Sequence, residues 1–170
     1  MIQKKVCMVG VQGTGKTSMV KRFVHSLFSE RYHSTVGVKI DRKVVDVGGA
    51  EVTLLLWDIE GRTEQSEVPT SYARGAHAVI YVADGTRRTT FEQLASLREL
   101  VRSTVGDVPS LVALNKADLT EHWALTRDDE ASLPAAGLHH VRTSAKTGAG
   151  VEDAFHWVAK EVLRAGAPRG

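Results

Sequence analysis

Residues 10–17 read GVQGTGKT. The spacing G-x-x-x-x-G-K-[ST] belongs to a phosphate-binding loop when a strand leads into it and a helix leaves it. The flanking sequence meets both conditions. KKVCMVG at 4–10 is a short apolar run ending on glycine, and Met19, Val20, Phe23, Val24 and Leu27 then recur at helical spacing. In such a loop, backbone N–H groups and the helix N-terminus cradle phosphate oxygens without side-chain charge. Gly10, Gly13, Thr14, Gly15 and Ser18 would shape that cradle. Lys16 would supply a point charge for the β- and γ-phosphates, and Thr17 a hydroxyl for Mg²⁺.

Working outward, VGVKIDRKVVDV and EVTLLLW are joined through Gly48, Gly49 and Ala50, which predicts a hairpin. AHAVIYVAD and SLVALNK are continuous apolar runs, as expected of parallel strands covered on both faces. Between them, Thr89 and Glu92 read as a capping box ahead of a helix carrying Phe91, Leu94, Ala95, Leu97 and Val101. Residues 120–137 read as a loop and a short helix, with Trp123 as a packing anchor. LHHVRTSA is a last strand, and Val151, Ala154, Phe155, Val158 and Val162 form the stripe of a final helix. Strands and helices alternate apart from the hairpin. The expectation is an α/β fold in three layers, with a mostly parallel six-stranded sheet, one antiparallel strand and helices on both faces.

A chain of 170 residues is expected to form one domain, spanning 1–170. A net charge of +2 gives no push toward nucleic acid or a membrane surface, so no nucleic-acid partner is expected. The single cysteine, Cys7, has no partner for an internal disulfide and reads as a buried thiol in a reducing compartment. The chain begins Met-Ile and ends GAPRG, and no apolar stretch is long enough to cross a bilayer. The expectation is a cytoplasmic protein without a lipid anchor.

The base is read elsewhere. NKAD at 115–118 follows a later strand. A carboxylate only accepts hydrogen bonds, and guanine offers two adjacent donors, the ring N1–H and the 2-amino group. Adenine instead turns a lone pair toward Asp118, so an ATP-using phosphoryl transferase is disfavoured. TSAK at 143–146 follows the last strand, where the Ala145 N–H can donate to guanine O6 and the Lys146 stem can lie against the base. Asn115, Lys116 and Ser144 complete these two loops.

Together these motifs resemble the Ras superfamily of small GTPases over essentially the whole chain. YHSTVGVKI at 32–40 is similar to the first switch of the Rab branch, and TSAKTGAGVEDAF at 143–155 to the base loop and last helix of Ras. The resemblance implies the small G-protein form of the P-loop NTPase fold, binding GTP or GDP with Mg²⁺. It also implies that Phe28 packs on the guanine edge and Tyr32 lies over the phosphates. Thr35 would ligate Mg²⁺ and sense the γ-phosphate, Asp58 would hold Mg²⁺ through water, and the Gly61 N–H would touch the γ-phosphate. The function implied is a switch, whose loops around Thr35 and Gly61 are ordered by GTP and released on hydrolysis. Effectors, an activating protein and an exchange factor would then bind at residues 30–45 and 58–76. The missing C-terminal cysteines would remove the membrane cycle that defines the Rab branch, and several prokaryotic relatives share the unlipidated form.

WDIEGRTEQ at 57–65 departs from that pattern. Arg62 stands where the family has the glutamine that orients the attacking water, Glu60 replaces a small residue, and Gln12 a glycine of Ras. A guanidinium cannot accept a hydrogen bond, so Arg62 cannot do the glutamine's work. It either lies on the γ-phosphate as an internal arginine or points into solvent, and solvent is the expectation carried forward. Gln12 or Glu60 then becomes the alternative water-orienting group. Two functions follow: a slow, partner-accelerated GTPase switch, or a GTP/GDP-binding scaffold with negligible hydrolysis.

Overall fold

The apolar runs become strands because the sheet is covered on both faces. A computed structural model describes residues 2–30 and 34–166. Its strands are β1 (Ile2–Gly10), β2 (Val38–Val47), β3 (Ala50–Ile59), β4 (Ala78–Asp84), β5 (Ser110–Asn115) and β6 (His139–Arg142). The helices are α1 (Lys16–His25), α2 (Arg88–Glu92), α3 (Leu94–Val105), α4 (Arg127–Ala135) and α5 (Val151–Ala165). The strands form one six-stranded sheet in the order β2-β3-β1-β4-β5-β6. β2 and β3 pair antiparallel around Gly48 and Gly49, and the remaining pairs are parallel. Every residue of β4 is buried, as its uninterrupted apolar sequence requires.

Two apolar layers hold the helices on. Met19, Val20 and Phe23 of α1 and Ala154, Phe155 and Val158 of α5 cover one face, with Phe23 and Phe155 stacked at 4.2 Å. Leu94, Leu97 and Val101 of α3 and Leu133 of α4 cover the other. In the sheet β1 lies between β3 and β4, and the carboxyl ends of β1, β3, β4 and β5 surround one crevice. No helix among the described residues is long and apolar enough to cross a membrane. Cys7 is fully buried, and burial pushes its thiol up to about 12, which keeps it unreactive.

Two local expectations are corrected. The first helix stops at His25, because Ser26 turns left-handed with φ 55° and its N–H returns to Arg22 O. Leu27 is therefore outside the helix and 62% exposed. The Thr89–Glu92 capping box does not form: α2 begins at Arg88 without a side-chain cap, and Glu92 pairs with Arg88 instead. The neighbouring Thr90 hydroxyl accepts from Asp84 N–H, so the turn is tied to β4. A capping box does occur at Thr126 and Asp129, opening α4, the short helix expected within 120–137. Trp123 packs half-buried beneath the Arg142 guanidinium, 4.7 Å from its ring centre, as an anchor should.

Candidate functional site

The phosphate-binding motif folds as a tight loop between β1 and α1. Gly15 turns with φ 101°, and a β-carbon there would lie 2.2 Å from Asn115 Nδ2, so no other residue fits. Thr14 is fully buried and its hydroxyl donates to Val11 O at 2.9 Å, bracing the loop. Lys16 is 5% exposed, and its Nζ donates to Val11 O at 3.2 Å. Burial lowers its pKa to about 8, with Asp58 acting in the opposite direction. An ammonium held at that cost favours an anion above it.

A cleft of about 570 Å³ runs from this loop to the other end of the crevice. Gln12, Gly13, Gly15, Lys16, Thr17, Ser18, Phe28, Thr35, Glu60, Gly61, Asn115, Lys116, Asp118, Ala145 and Lys146 all line it. Its size suits a nucleotide-sized ligand. Gly10 and Thr14 stand behind the loop, Asp58 and Ser144 behind other lining residues, and Arg62 is turned away. Tyr32 lies outside the described residues.

At one end of the cleft three oxygen donors converge. Thr17 Oγ1 lies 2.7 Å from Thr35 Oγ1 and donates to Asp58 Oδ2 at 2.5 Å. Asp58 is 1% exposed, its Oδ1 has no hydrogen-bond partner among the described residues, and burial raises its pKa. An orphaned, buried carboxylate oxygen beside two hydroxyls fits a hard divalent cation such as Mg²⁺, which takes oxygen ligands and relieves the desolvated charge. Among the described residues no three His, Cys, Asp or Glu side chains gather as a transition-metal site would require.

At the other end, Asp118 is held for a directional task. Ser144 Oγ donates to its Oδ1 at 2.8 Å, leaving the carboxylate edge toward the cleft. Asn115 is buried, accepts from Thr143 Oγ1 at 3.1 Å and donates to Thr14 O at 3.0 Å, tying the two loops together. Lys116 Nζ reaches Gly13 O at 3.1 Å. Phe28 is 38% exposed at the rim, where a flat base can cover it.

Gly61 and Arg62 close the loop end. A β-carbon at Gly61 would meet Gln12 N at 2.6 Å and Lys16 Nζ at 2.9 Å, so only glycine lets the chain approach the phosphate loop. Arg62 N–H donates to Gly10 O at 3.0 Å, and Gln12 N–H donates to Arg62 O at 2.9 Å. The Arg62 side chain corrects the sequence reading, for it points neither to solvent nor into the cleft. Its Nε and Nη2 form a bidentate pair with Glu67 at 2.7 and 2.8 Å, and Nη1 donates to Ser96 Oγ on α3 at 2.8 Å. The Arg62 side chain is 17% exposed. This hydrogen bonding holds the Glu67 carboxyl below the usual range. A long, forked donor finds the Glu67 carboxylate five residues on, and the Gln93 amide oxygen and Ser96 hydroxyl at the start of α3, 31 and 34 residues later. Gln12 and Glu60 do face the cleft, and each is engaged with the first switch. Gln12 Nε2 donates to Ser34 Oγ at 3.0 Å, and Glu60 Oε2 accepts from Gly37 N–H at 3.4 Å.

Sequence reasoning passed over Asp84, Thr143, Ser34 and Leu119. Leu119 lines the cleft beside Asp118, and Ser34 lines it beside Thr35. Asp84 carried a legible signal: it ends an otherwise apolar strand. Thr143 and Ser34 carried none, since each acts by a hydrogen bond to a residue remote in sequence.

The Ras family model matches residues 5–164. The chain is 32% identical over 159 residues to Ras-related protein Rab-1 of Theileria parva, covering 92% of this chain and 72% of that protein. It is 38% identical over 161 residues to Ras-related protein Rab-26 of Bos taurus, covering 93% of this chain and 63% of that one. The human Rab-26 is 37% identical over the same length, again with 63% of its chain covered.

Proposed function

The chain belongs to the Ras family of small GTPases, and on that premise we propose that it is a Mg²⁺-dependent guanine-nucleotide switch that hydrolyses GTP slowly. The observation that carries the reading is the pairing of a phosphate loop at one end of the cleft with Asp118, braced by Ser144, at the other. Asp118 accepts from guanine N1–H and the 2-amino group, Ala145 N–H donates to O6, and Phe28 and Lys146 cover the base. The loop from Gly13 to Ser18 holds the phosphates through backbone N–H groups, with Lys16 as the charge. Thr17, Thr35 and Asp58 would hold Mg²⁺, which when bound neutralises charge on the phosphate oxygens. The Gly61 N–H serves the γ-phosphate. Residues 1–170 act as one such domain.

Hydrolysis is slow because Arg62, in the second switch around Gly61, has no acceptor with which to orient the water. The unaided rate is expected on the order of 10⁻⁴ s⁻¹, as for unaided Ras. Arg62 is engaged with Glu67 and Ser96, which favours a second reading, a scaffold whose state is set by exchange and nucleotide supply. A partner that accelerates the reaction brings its own water-positioning group or recruits Gln12 or Glu60. Effectors, an activating protein and an exchange factor bind at residues 30–45 and 58–76. Exposed apolar Val36, Ile40 and Tyr72 support a protein-binding surface there. The protein works in the cytoplasm.

The test is base specificity. Asp118→Asn is expected to weaken GTP binding by several kcal/mol, about 10³-fold or more, and to create affinity for xanthosine nucleotides. The amide of Asn can donate to the C2 carbonyl that xanthine carries. Fluorescent-nucleotide titration measures both. Unchanged GTP affinity in the variant would mean that the base lies elsewhere.

A further inference from the structure

We propose that Asp84 is a positioning residue of the nucleotide site, its buried carboxylate holding the Lys116 ammonium where that group bridges the base loop to the phosphate loop. The inference rests on reading the cleft as a guanine-nucleotide site. Asp84 ends β4 and is fully buried. A carboxylate without water is costly unless its charge is balanced and its lone pairs are used. Oδ1 is used locally, accepting from Thr86 N–H at 2.9 Å and Thr86 Oγ1 at 2.6 Å. Oδ2 has no directed hydrogen bond among the described residues. It lies 2.8 Å from Lys116 Nζ, and the Arg87 guanidinium is more distant at 3.9 Å. Thr86 therefore fixes one oxygen so that the other faces Lys116.

Lys116 needs such an anchor. Its backbone has φ 67°, a left-handed conformation that a lysine rarely adopts. That turn, with Leu119 N–H returning to Lys116 O at 3.0 Å, carries the chain on to Asp118. The same ammonium that meets Asp84 donates to Gly13 O at 3.1 Å. One cation thus joins the end of β4, the phosphate loop and the base loop. Strain of this kind persists only where surrounding contacts over-determine it. Without the Asp84 charge, Lys116 has water as an alternative, being 35% exposed. Both the bridge to Gly13 and the turn before Asp118 then loosen, and bound nucleotide leaves faster.

A purely structural Asp84, serving only its turn with Thr86, would act independently of Lys116. A double-mutant cycle separates the two. Dissociation of fluorescent GDP from the full chain is followed, with Mg²⁺ and excess unlabelled GDP, for the wild type, Asp84→Asn, Lys116→Ala and the double variant. Asparagine keeps the Oδ1 acceptor for Thr86 and removes the charge. Asp84→Asn is expected to release GDP at least about tenfold faster, and to add less than about twofold when Lys116 is already alanine. Equal acceleration in both backgrounds, or wild-type release from Asp84→Asn, overturns the proposal. Should Asp84→Asn fail to fold, Thr86→Ala replaces it. Loss of the Oγ1 bond is expected to speed release about threefold, again only when Lys116 is present. Wild-type release from Thr86→Ala overturns the proposal equally. If the wild type binds no GDP, the reading of the cleft itself falls, an outcome distinct from a binding wild type with an indifferent variant.

Discussion

Replacing Arg62 with alanine separates a phosphate-stabilising arginine from one that fastens the second switch to α3. The side chain is 17% exposed and makes a bidentate pair with a half-exposed Glu67 and one hydrogen bond to Ser96. A partly exposed ion pair contributes about 0.5–1 kcal/mol, and the hydrogen bond about 1 kcal/mol. Arg62→Ala should therefore lower stability by about 1.5–2 kcal/mol, or about 3–8 °C in Tm for a chain of this size. Hydrolysis should change less than about threefold, because the guanidinium is remote from the cleft. Thermal unfolding of the GDP form and single-turnover conversion of GTP to GDP measure the two quantities on one sample. The stability difference should also depend on acid. The Glu67 carboxyl is held below its ordinary value by Arg62, so the latch contributes fully above the unfolded carboxyl's pKa. Its contribution is lost as pH falls through the folded value, and wild type and variant should converge in acid. Arg62→Gln, by contrast, should raise the unaided rate, since glutamine can both donate to and accept from water. A tenfold or larger fall in rate for Arg62→Ala, worth about 1.4 kcal/mol of barrier, would refute this reasoning and return Arg62 to the γ-phosphate.

Two further outcomes follow from the same site. Thr35→Ala should leave nucleotide binding nearly intact while abolishing the ordered GTP form, and Thr17→Asn should favour GDP or the empty protein. Limited proteolysis at residues 30–40 that is unaltered in GTP-loaded Thr35→Ala would contradict the first switch as described. Lys16, its pKa lowered to about 8 by burial, must be charged to hold phosphate. GDP affinity should thus be flat below pH 8 and fall by up to about tenfold per unit above it, as binding begins to require proton uptake. Guanosine, which shares the base but has no phosphate, should not show that fall above pH 8, and a parallel decline for both ligands would assign the effect to the base.

By itself the sequence determined the elements whose signals are local. Periodicity marked the strands and the final helix, and GVQGTGKT, NKAD and TSAK marked the cleft, because backbone cradles and base-reading carboxylates need fixed residue types at fixed short spacing. Arg62 was legible as the wrong residue for orienting water, since that follows from a guanidinium having no acceptor. Where its side chain goes was not legible. That depends on Glu67 and on Ser96, which reach it only once α3 packs beside the second switch. The helix ends were misread because Ser26 takes a left-handed turn that no residue type in the stretch signals, and because the Thr90 hydroxyl ties the next turn back to the end of β4. The pairing of Asp84 with Lys116 belongs wholly to the tertiary structure, because two adjacent strands carry them to the same end of the sheet. Spacing along the chain specifies what each loop can bind. Only the packed sheet decides which buried charges face one another, since a charge removed from water is governed by whatever the fold brings nearest to it.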